Sequence, residues 1–124
     1  MRPPTTIEPE AHLAAAAYLI KHFHDSLVVV TSDSHEPVAV ITDAEITRAI
    51  AHGRSLENTR ISQVVTAKPV TVQADVVPED AARLMLSQGI QRLPVVEGRR
   101  LVGMVDLCRV SVAPGPFSAA AGTS

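Results

Sequence analysis

The sequence predicts an α/β (α+β) chain of two pseudo-symmetric repeats, each a small, mostly antiparallel sheet with flanking helices. Three observations predict it. Short β-branched runs alternate with stretches of helical periodicity. One half echoes the other: Leu27-Val28-Val29-Val30 aligns with Leu93-Pro94-Val95-Val96 at an offset of 66, and Ala39-Val40-Ile41-Thr42 with Gly103-Met104-Val105-Asp106 at an offset of 64. The two-residue difference falls in a hairpin turn, where length changes are tolerated. Aromatic residues are only 2% of the 124, namely Tyr18, Phe23 and Phe117 with no tryptophan, so the core has to be aliphatic.

Residues 1–9 are polar and proline-rich and read as an extended lead-in. Over 10–23, Leu13, Ala14, Ala17, Tyr18 and Ile20 recur at helical spacing and predict a short amphipathic helix. Residues 27–31 and 37–42 are β-branched runs. The intervening Ser32-Asp33-Ser34-His35-Glu36 supplies turn-forming side chains, so the three together predict strand–turn–strand. Residues 43–51 predict a helix with Ile46, Ala49 and Ile50 on one side, and Gly53 follows its end. Residues 54–60 form a polar connector.

A brief strand is expected over 70–72. Asp75 is the expected N-cap of a helix over 76–88, with Val77, Ala81, Leu84 and Met85 as its apolar stripe. Gly89 suits a left-handed ending. Residues 93–96 and 101–105 predict strands joined tightly around Glu97-Gly98-Arg99. A last helical turn is expected over 106–110. Residues 113–124, rich in alanine, glycine, proline and serine, read as a disordered tail. The domain organisation is therefore repeat one over 1–57 with its lead-in, repeat two over 58–112, and the tail. Each repeat is too small to bury a good core alone, so the two are expected to pair.

Composition excludes several function classes. Lysine plus arginine number 11 and aspartate plus glutamate 13, a net charge of −2, so a nucleic-acid partner is not expected. The aromatic stacking platforms of single-strand binders are also missing. Hydrophobic residues at 46% and charged residues at 19% argue against disorder over most of the length. No run approaches the roughly 18 apolar residues of a membrane span. The opening residues lack the basic-then-apolar pattern of a signal peptide, so a cytoplasmic protein with no membrane partner is expected. Cys108 is the single cysteine, which rules out an intramolecular disulfide and a cysteine zinc cluster and fits a small hydrophobe in a reducing compartment.

No metal site is expected. His22-Phe23-His24-Asp25 brings ligand types together, but residues two apart at a helix end point to different sides. His12, His35 and His52 lie on other segments. No catalytic residues are expected either. His24, Asp25 and Ser26 are adjacent in sequence, which is not triad geometry. A glycine-rich phosphate loop and a nucleophile elbow are missing.

The second half reads Pro69-Val70-Thr71-Val72, then a helix ending in Gly89-Ile90, then Arg92-Leu93-Pro94-Val95-Val96 and Leu101-Val102-Gly103-Met104-Val105. In that order these pieces resemble a CBS domain. The first half resembles it through Ile41-Thr42-Asp43-Ala44-Glu45-Ile46. The stretch from Ala51-His52-Gly53-Arg54 through Ile61-Ser62-Gln63-Val64-Val65-Thr66 resembles the connector between two such repeats. The resemblance covers residues 10–110 or so, which makes the chain similar to a stand-alone tandem CBS pair, a Bateman module. It implies a regulatory module that binds an adenosine-containing ligand in the inter-repeat cleft: AMP, ADP, ATP or S-adenosylmethionine. It implies no required cofactor, a homodimer, and regulation in trans of a separate protein of unknown identity.

The resemblance also implies site residues. The family places a threonine or serine where the last strand turns into its helix, with an aspartate three residues on, for the ribose. Those positions here are Thr42 and Glu45, then Asp106 and Arg109. Glutamate keeps the acceptor charge on a longer arm. Arginine donates only and cannot accept from ribose hydroxyls. The cleft of Thr42 and Glu45 would draw Val70, Thr71, Ile90, Gln91 and Arg92 from the second repeat. Val70 and Ile90 would flank the base, and Arg92 would meet the phosphate. A possible second cleft would combine Asp106 and Arg109 with His24, Asp25 and Ser26, where Ser26 stands in place of Arg92 and the matching cation is lost. One competent cleft per chain is expected, centred on Thr42 and Arg92.

Each residue also has a purely structural reading: Thr42 and Asp106 as N-caps, Glu45 as a first-turn acid, Arg92 as a surface cation, Val70 and Ile90 as core. The alternative function is a ligand-free dimerisation and protein-interaction module with degenerate nucleotide sites, which Glu45, Asp106 and Arg109 favour.

Overall fold

The computed structural model describes residues 1–24, 27–65 and 68–107. In chain order the elements are β1 (Thr6–Ile7), α1 (Leu13–His22), β2 (Leu27–Thr31), β3 (Pro37–Thr42), α2 (Asp43–Ala51), a 3₁₀ turn (Ile61–Gln63), β4 (Val72–Gln73), α3 (Pro78–Gln88), β5 (Arg92–Glu97) and β6 (Arg100–Asp106). They divide into two units, Thr5–Pro69 and Met1–Pro4 with the chain from Val70 onward.

In the unit Thr5–Pro69 the sheet order is β1-β2-β3. β1 runs parallel to β2, with Thr6 opposite Val29 and Ile7 opposite Val30. Parallel neighbours need a crossover, and α1 provides it. β2 pairs antiparallel with β3, from Leu27 opposite Thr42 to Thr31 opposite Pro37. Val28, Val29 and Val30 are all fully buried, as a continuous β-branched run predicts. Leu13, Ala16 and Ile20 of α1 pack on Val28, Val30, Ile41, Ile46 and Ile61.

The lead-in, expected as extended chain, thus contains the two-residue strand β1. Tyr18 and Ile50, expected on apolar faces, are exposed at 63% and 51%. Tyr18 sits well round the helix from Leu13, and the stripe that closes the core is Leu13, Ala16 and Ile20. Tyr18 stacks on His22 instead, with ring centroids 5.4 Å apart. Part of the stretch assigned by sequence to repeat two also packs here. Leu13 N–H donates to the Thr59 carbonyl at 2.9 Å and Ile61 N–H to the Ala11 carbonyl at 2.8 Å, with Ile61 fully buried.

The second unit repeats the topology, in the order β4-β5-β6. β4 is parallel to β5, with Val72 opposite Val95, and α3 makes the crossover. β5 is antiparallel to β6, from Arg92 opposite Asp106 to Glu97 opposite Arg100. Ala81 and Met85 of α3 pack on Leu93, Val95 and Val105. Helix α3 begins later than expected: its N-cap is Val77, not Asp75, and Pro78 takes the first turn. Proline has no N–H to leave unsatisfied there, and it disfavours helical geometry in the residue before it. Val77 keeps an extended φ of −76° and ψ of 145°. It is 41% exposed and is not part of the stripe. Gly89 ends the helix in the left-handed region at φ 67°, as expected.

Residues 1–4 add an edge to this unit. Arg2 N–H donates to the Met104 carbonyl at 3.0 Å, and Met104 N–H returns to the Arg2 carbonyl at 2.9 Å. Met1 lies on Gly103, where a Cβ would stand 2.4 Å from its Cγ. A side chain at 103 would therefore have to displace that of Met1. The expected last turn lies, beyond Leu107, outside the described residues, as do Cys108 and the tail over 113–124. Among the described residues no helix is long and apolar enough to cross a membrane.

Candidate functional site

The candidate residues fall into two sets, one in each unit. In Thr5–Pro69, β3 delivers Thr42 and α2 delivers Glu45. Thr42 is extended, at φ −122° and ψ 167°, and caps the helix. Its Oγ1 accepts from the Glu45 N–H at 3.3 Å and donates to Glu45 Oε1 at 3.2 Å. The spacing of three residues makes this contact local: the cap places Oγ1 over the first turn, and the Glu45 side chain folds back onto it. The cap function of Thr42 and the first-turn position of Glu45 are therefore realised. The same contact sets a hydroxyl and a carboxylate side by side at the positive end of a helix.

Glu45 also borders a recess of about 180 Å³ with Arg48, His52, Arg54 and Gln63, none of which is among the ligand-binding residues expected from sequence. Arg48 and His52 follow Glu45 along one helix face, a spacing that sequence alone displays. The recess is smaller than the roughly 300 Å³ at which ligand pockets begin, so it does not hold a nucleotide by itself.

In the second unit Val70 and Thr71 precede β4. Val70 is 37% exposed and so is not a core residue. Ile90 packs on the edge of this unit's core, and its N–H caps α3 by donating to the Met85 carbonyl at 2.9 Å. Gln91 is exposed. Its carbonyl accepts from Leu107 N–H at 2.8 Å, tying the residue before β5 to the end of β6.

Arg92 opens β5 and is half-buried rather than a free surface cation. Its Nε stands 3.3 Å from Asp106 Oδ1, with side chains 29% and 17% exposed. Arg2, absent from the sequence-based set, joins the same carboxylate: Nε is 3.2 Å from Oδ2 and Nη2 3.3 Å from Oδ1. No sequence signal pointed to Arg2, which is 104 positions from Asp106.

Of the possible second set, His24 ends the first described segment in a left-handed conformation at φ 52°. Asp25, Ser26 and Arg109 lie outside the described residues. The bulge in the second sheet falls between Val95 and Val96, one position earlier than its counterpart between Val30 and Thr31. The strand-to-helix junctions face different partners, Leu27 opposite Thr42 and Arg92 opposite Asp106, because residues 32–36 join β2 to β3 whereas only 98–99 join β5 to β6. Among the described residues no group of three His, Cys, Asp or Glu side chains is arranged to hold a metal ion.

A family model for the CBS domain matches residues 1–52 and 61–112. The chain is 25% identical over 104 residues to an uncharacterised protein of Methanopyrus kandleri, covering 82% of this chain and 53% of that one. It is 32% identical over 110 residues to an arabinose 5-phosphate isomerase of Yersinia pestis, covering 86% of this chain and 34% of the isomerase. It thus spans about half the length of the first and a third of the second. Among solved structures, a CBS domain protein from Pyrobaculum aerophilum complexed with AMP superposes with a TM-score of 0.78 at 26% identity, covering 87% of this chain and 83% of that one.

Proposed function

The chain belongs to the CBS-domain family, and on that premise we propose that it is a regulatory CBS pair that binds an adenosine-containing ligand and modulates a separate protein. The observation that carries the reading is the Thr42–Glu45 contact. A nucleoside needs acceptors for its ribose hydroxyls, and Glu45 with Thr42 offers a carboxylate and a hydroxyl 3.2 Å apart. A ribose diol would take over the hydrogen bond that Thr42 now gives to Glu45. The AMP held by the Pyrobaculum relative supports the same ligand class.

In this proposal Arg92 meets the phosphate, Val70 and Ile90 flank the base, and Thr71 and Gln91 complete the second repeat's contribution. AMP, ADP, ATP and S-adenosylmethionine are the candidates. A ligand held by both repeats favours one arrangement of them, and that population shift is what a partner protein would read. The homodimer and the cytoplasmic setting belong to the same proposal.

One observation favours the ligand-free interaction module instead. Asp106 is engaged by Arg2 and Arg92, which gives the second junction an internal structural role.

A thermal-shift panel separates the two. A ligand that binds only the folded state stabilises it by about 2.7 kcal/mol at a hundredfold excess over Kd. AMP, ADP, ATP, S-adenosylmethionine, NAD and cyclic dinucleotides are tested on wild type and on Arg92→Ala. A saturable shift from an adenosyl compound, reduced in Arg92→Ala only for phosphate-bearing ligands, is expected. No shift from any compound overturns the ligand reading in favour of the interaction module.

A further inference from the structure

We infer that the recess at the C-terminal end of α2 is a binding site for a phosphate group. It lies wholly within the unit Thr5–Pro69 and does not depend on the adenosyl reading.

Local structure gathers its donors. Arg48 and His52 are four residues apart and share one side of α2 and its cap. Gly53 then reverses the chain in the left-handed region, at φ 83°. Its N–H donates to the Ile50 carbonyl at 2.9 Å, and the Arg54 N–H donates to the Ala49 carbonyl at 3.0 Å. These two bonds form a Schellman ending, which returns Arg54 to the last turn, where it lines the recess with Arg48 and His52. The 3₁₀ turn supplies Gln63. Its Oε1 accepts from the Arg60 N–H at 2.7 Å, which leaves the Nε2 hydrogens to donate elsewhere.

The lining is therefore rich in donors. Guanidinium groups only donate, and His52 donates from one ring nitrogen when neutral and from both when charged. Among the described residues neither Arg48 nor Arg54 is held in an ion pair. Glu45 is the acid that borders the recess, and its Oε1 already accepts from the Thr42 hydroxyl at 3.2 Å. Two guanidinium groups against one carboxylate leave a net positive charge. The C-terminal end of a helix contributes only about half a negative charge, and the N–H groups of residues 52–54 already cover the carbonyls of Arg48, Ala49 and Ile50. The balance stays positive.

Size selects the ligand. About 180 Å³ is too little for a nucleoside. A liquid water takes about 30 Å³, so a single tetrahedral oxyanion fits with room for hydration. Phosphate offers the charge and the several acceptor oxygens that guanidinium forks pair with best. It can arrive as the free anion or as part of a larger ligand.

The experiment is an NMR titration of the full chain, following arginine Nε–H and backbone amide signals. Ionic strength is held constant so that screening is equal throughout. The probes are inorganic phosphate, chloride, adenosine and ATP. Inorganic phosphate is expected to shift Arg48, Arg54 and Gln63 along one saturation curve, and chloride to leave them in place. Arg48→Gln and Arg54→Gln change exposed residues and should keep the fold. Each should weaken phosphate about two- to five-fold, the range of one partly screened charge pair. Glu45→Gln should tighten it by removing a like charge. Arg99→Gln, in the exposed turn between β5 and β6, should change nothing.

Saturation by inorganic phosphate supports a site for the free anion. Shifts at the same residues with ATP, and none with inorganic phosphate or adenosine, support the site and make its source the phosphate of a larger ligand. Shifts that never saturate, no shift from either phosphate compound, equal losses in Arg99→Gln, or looser binding by Glu45→Gln overturn the inference. The inorganic phosphate response is read without adenosine, so it decides the inference whether or not the adenosyl reading holds.

Discussion

Replacing Thr42 by valine removes one hydroxyl and keeps the shape and the β-branch. In the structure that hydroxyl accepts from the Glu45 N–H at 3.3 Å and donates to Glu45 Oε1 at 3.2 Å. Loss of an N-cap acceptor costs about 1 kcal/mol, within a range of about 0.5–2. Helix α2 is nine residues long and anchors Ile46 and Ala49, at 7% and 6% exposure, in the core of its unit. Fraying of its first turn is therefore felt by the whole unit. For 124 residues the corresponding drop in Tm is about 3–6 °C.

Circular dichroism melts measure it directly. Thr42→Asp is the control, since aspartate caps as well as threonine and favours the helix dipole, yet it sets a second carboxylate beside Glu45. Thr42→Asp should melt at or above wild type while losing adenosine affinity. Thr42→Val should lose both stability and affinity. An unchanged Tm in Thr42→Val refutes the capping argument. Undiminished adenosine binding by both variants refutes the ribose role.

Further predictions concern the second unit. Met85→Ala should destabilise by about 2–5 kcal/mol in a urea titration, because Met85 of α3 is fully buried in the cluster with Leu93, Val95 and Val105. Gly89→Ala should cost about 1 kcal/mol through the positive φ of 67° alone, since no atom lies within 4 Å of the added Cβ, and Gly89→Asn should recover part of it. Gly103→Ala should displace the Met1 side chain, which a Cβ would approach to 2.4 Å. Amide exchange at Met104 should then rise by more than tenfold while the β5–β6 ladder stays protected. Loss of the whole ladder's protection would show that Gly103 serves the sheet itself.

What the sequence revealed was local. Strands β2 and β3 and helix α2 have the bounds that β-branched runs and helical spacing imply, because each is decided by its own residues and immediate neighbours. Strand β1 was invisible as a pattern: it is two residues in a proline-rich stretch, and its partner Val29 lies beyond α1. Only the repeat exposes it, since Thr6 opposite Val29 and Val72 opposite Val95 keep the offset of 66 on both strands. Helix α3 began at Pro78 because the backbone restriction imposed by proline outweighed the capping propensity of Asp75.

The candidate site divides in the same way. Thr42 and Glu45 meet because three residues separate them at a helix start. Arg2 and Asp106 meet because residues 1–4 add an edge to a sheet built from the far end of the chain, which no periodicity records. Likewise, Arg92 meets Asp106 because only residues 98–99 separate β5 from β6, where 32–36 separate β2 from β3, and the register that a turn sets is not read from strand composition.

The most direct test of the account is a crystal structure of the protein grown with AMP. The account predicts ribose hydroxyls within hydrogen-bond distance of Glu45 and Thr42, and phosphate oxygens on Arg92. AMP seated only beside Asp106, with Thr42 and Glu45 still bonded to each other, would contradict it.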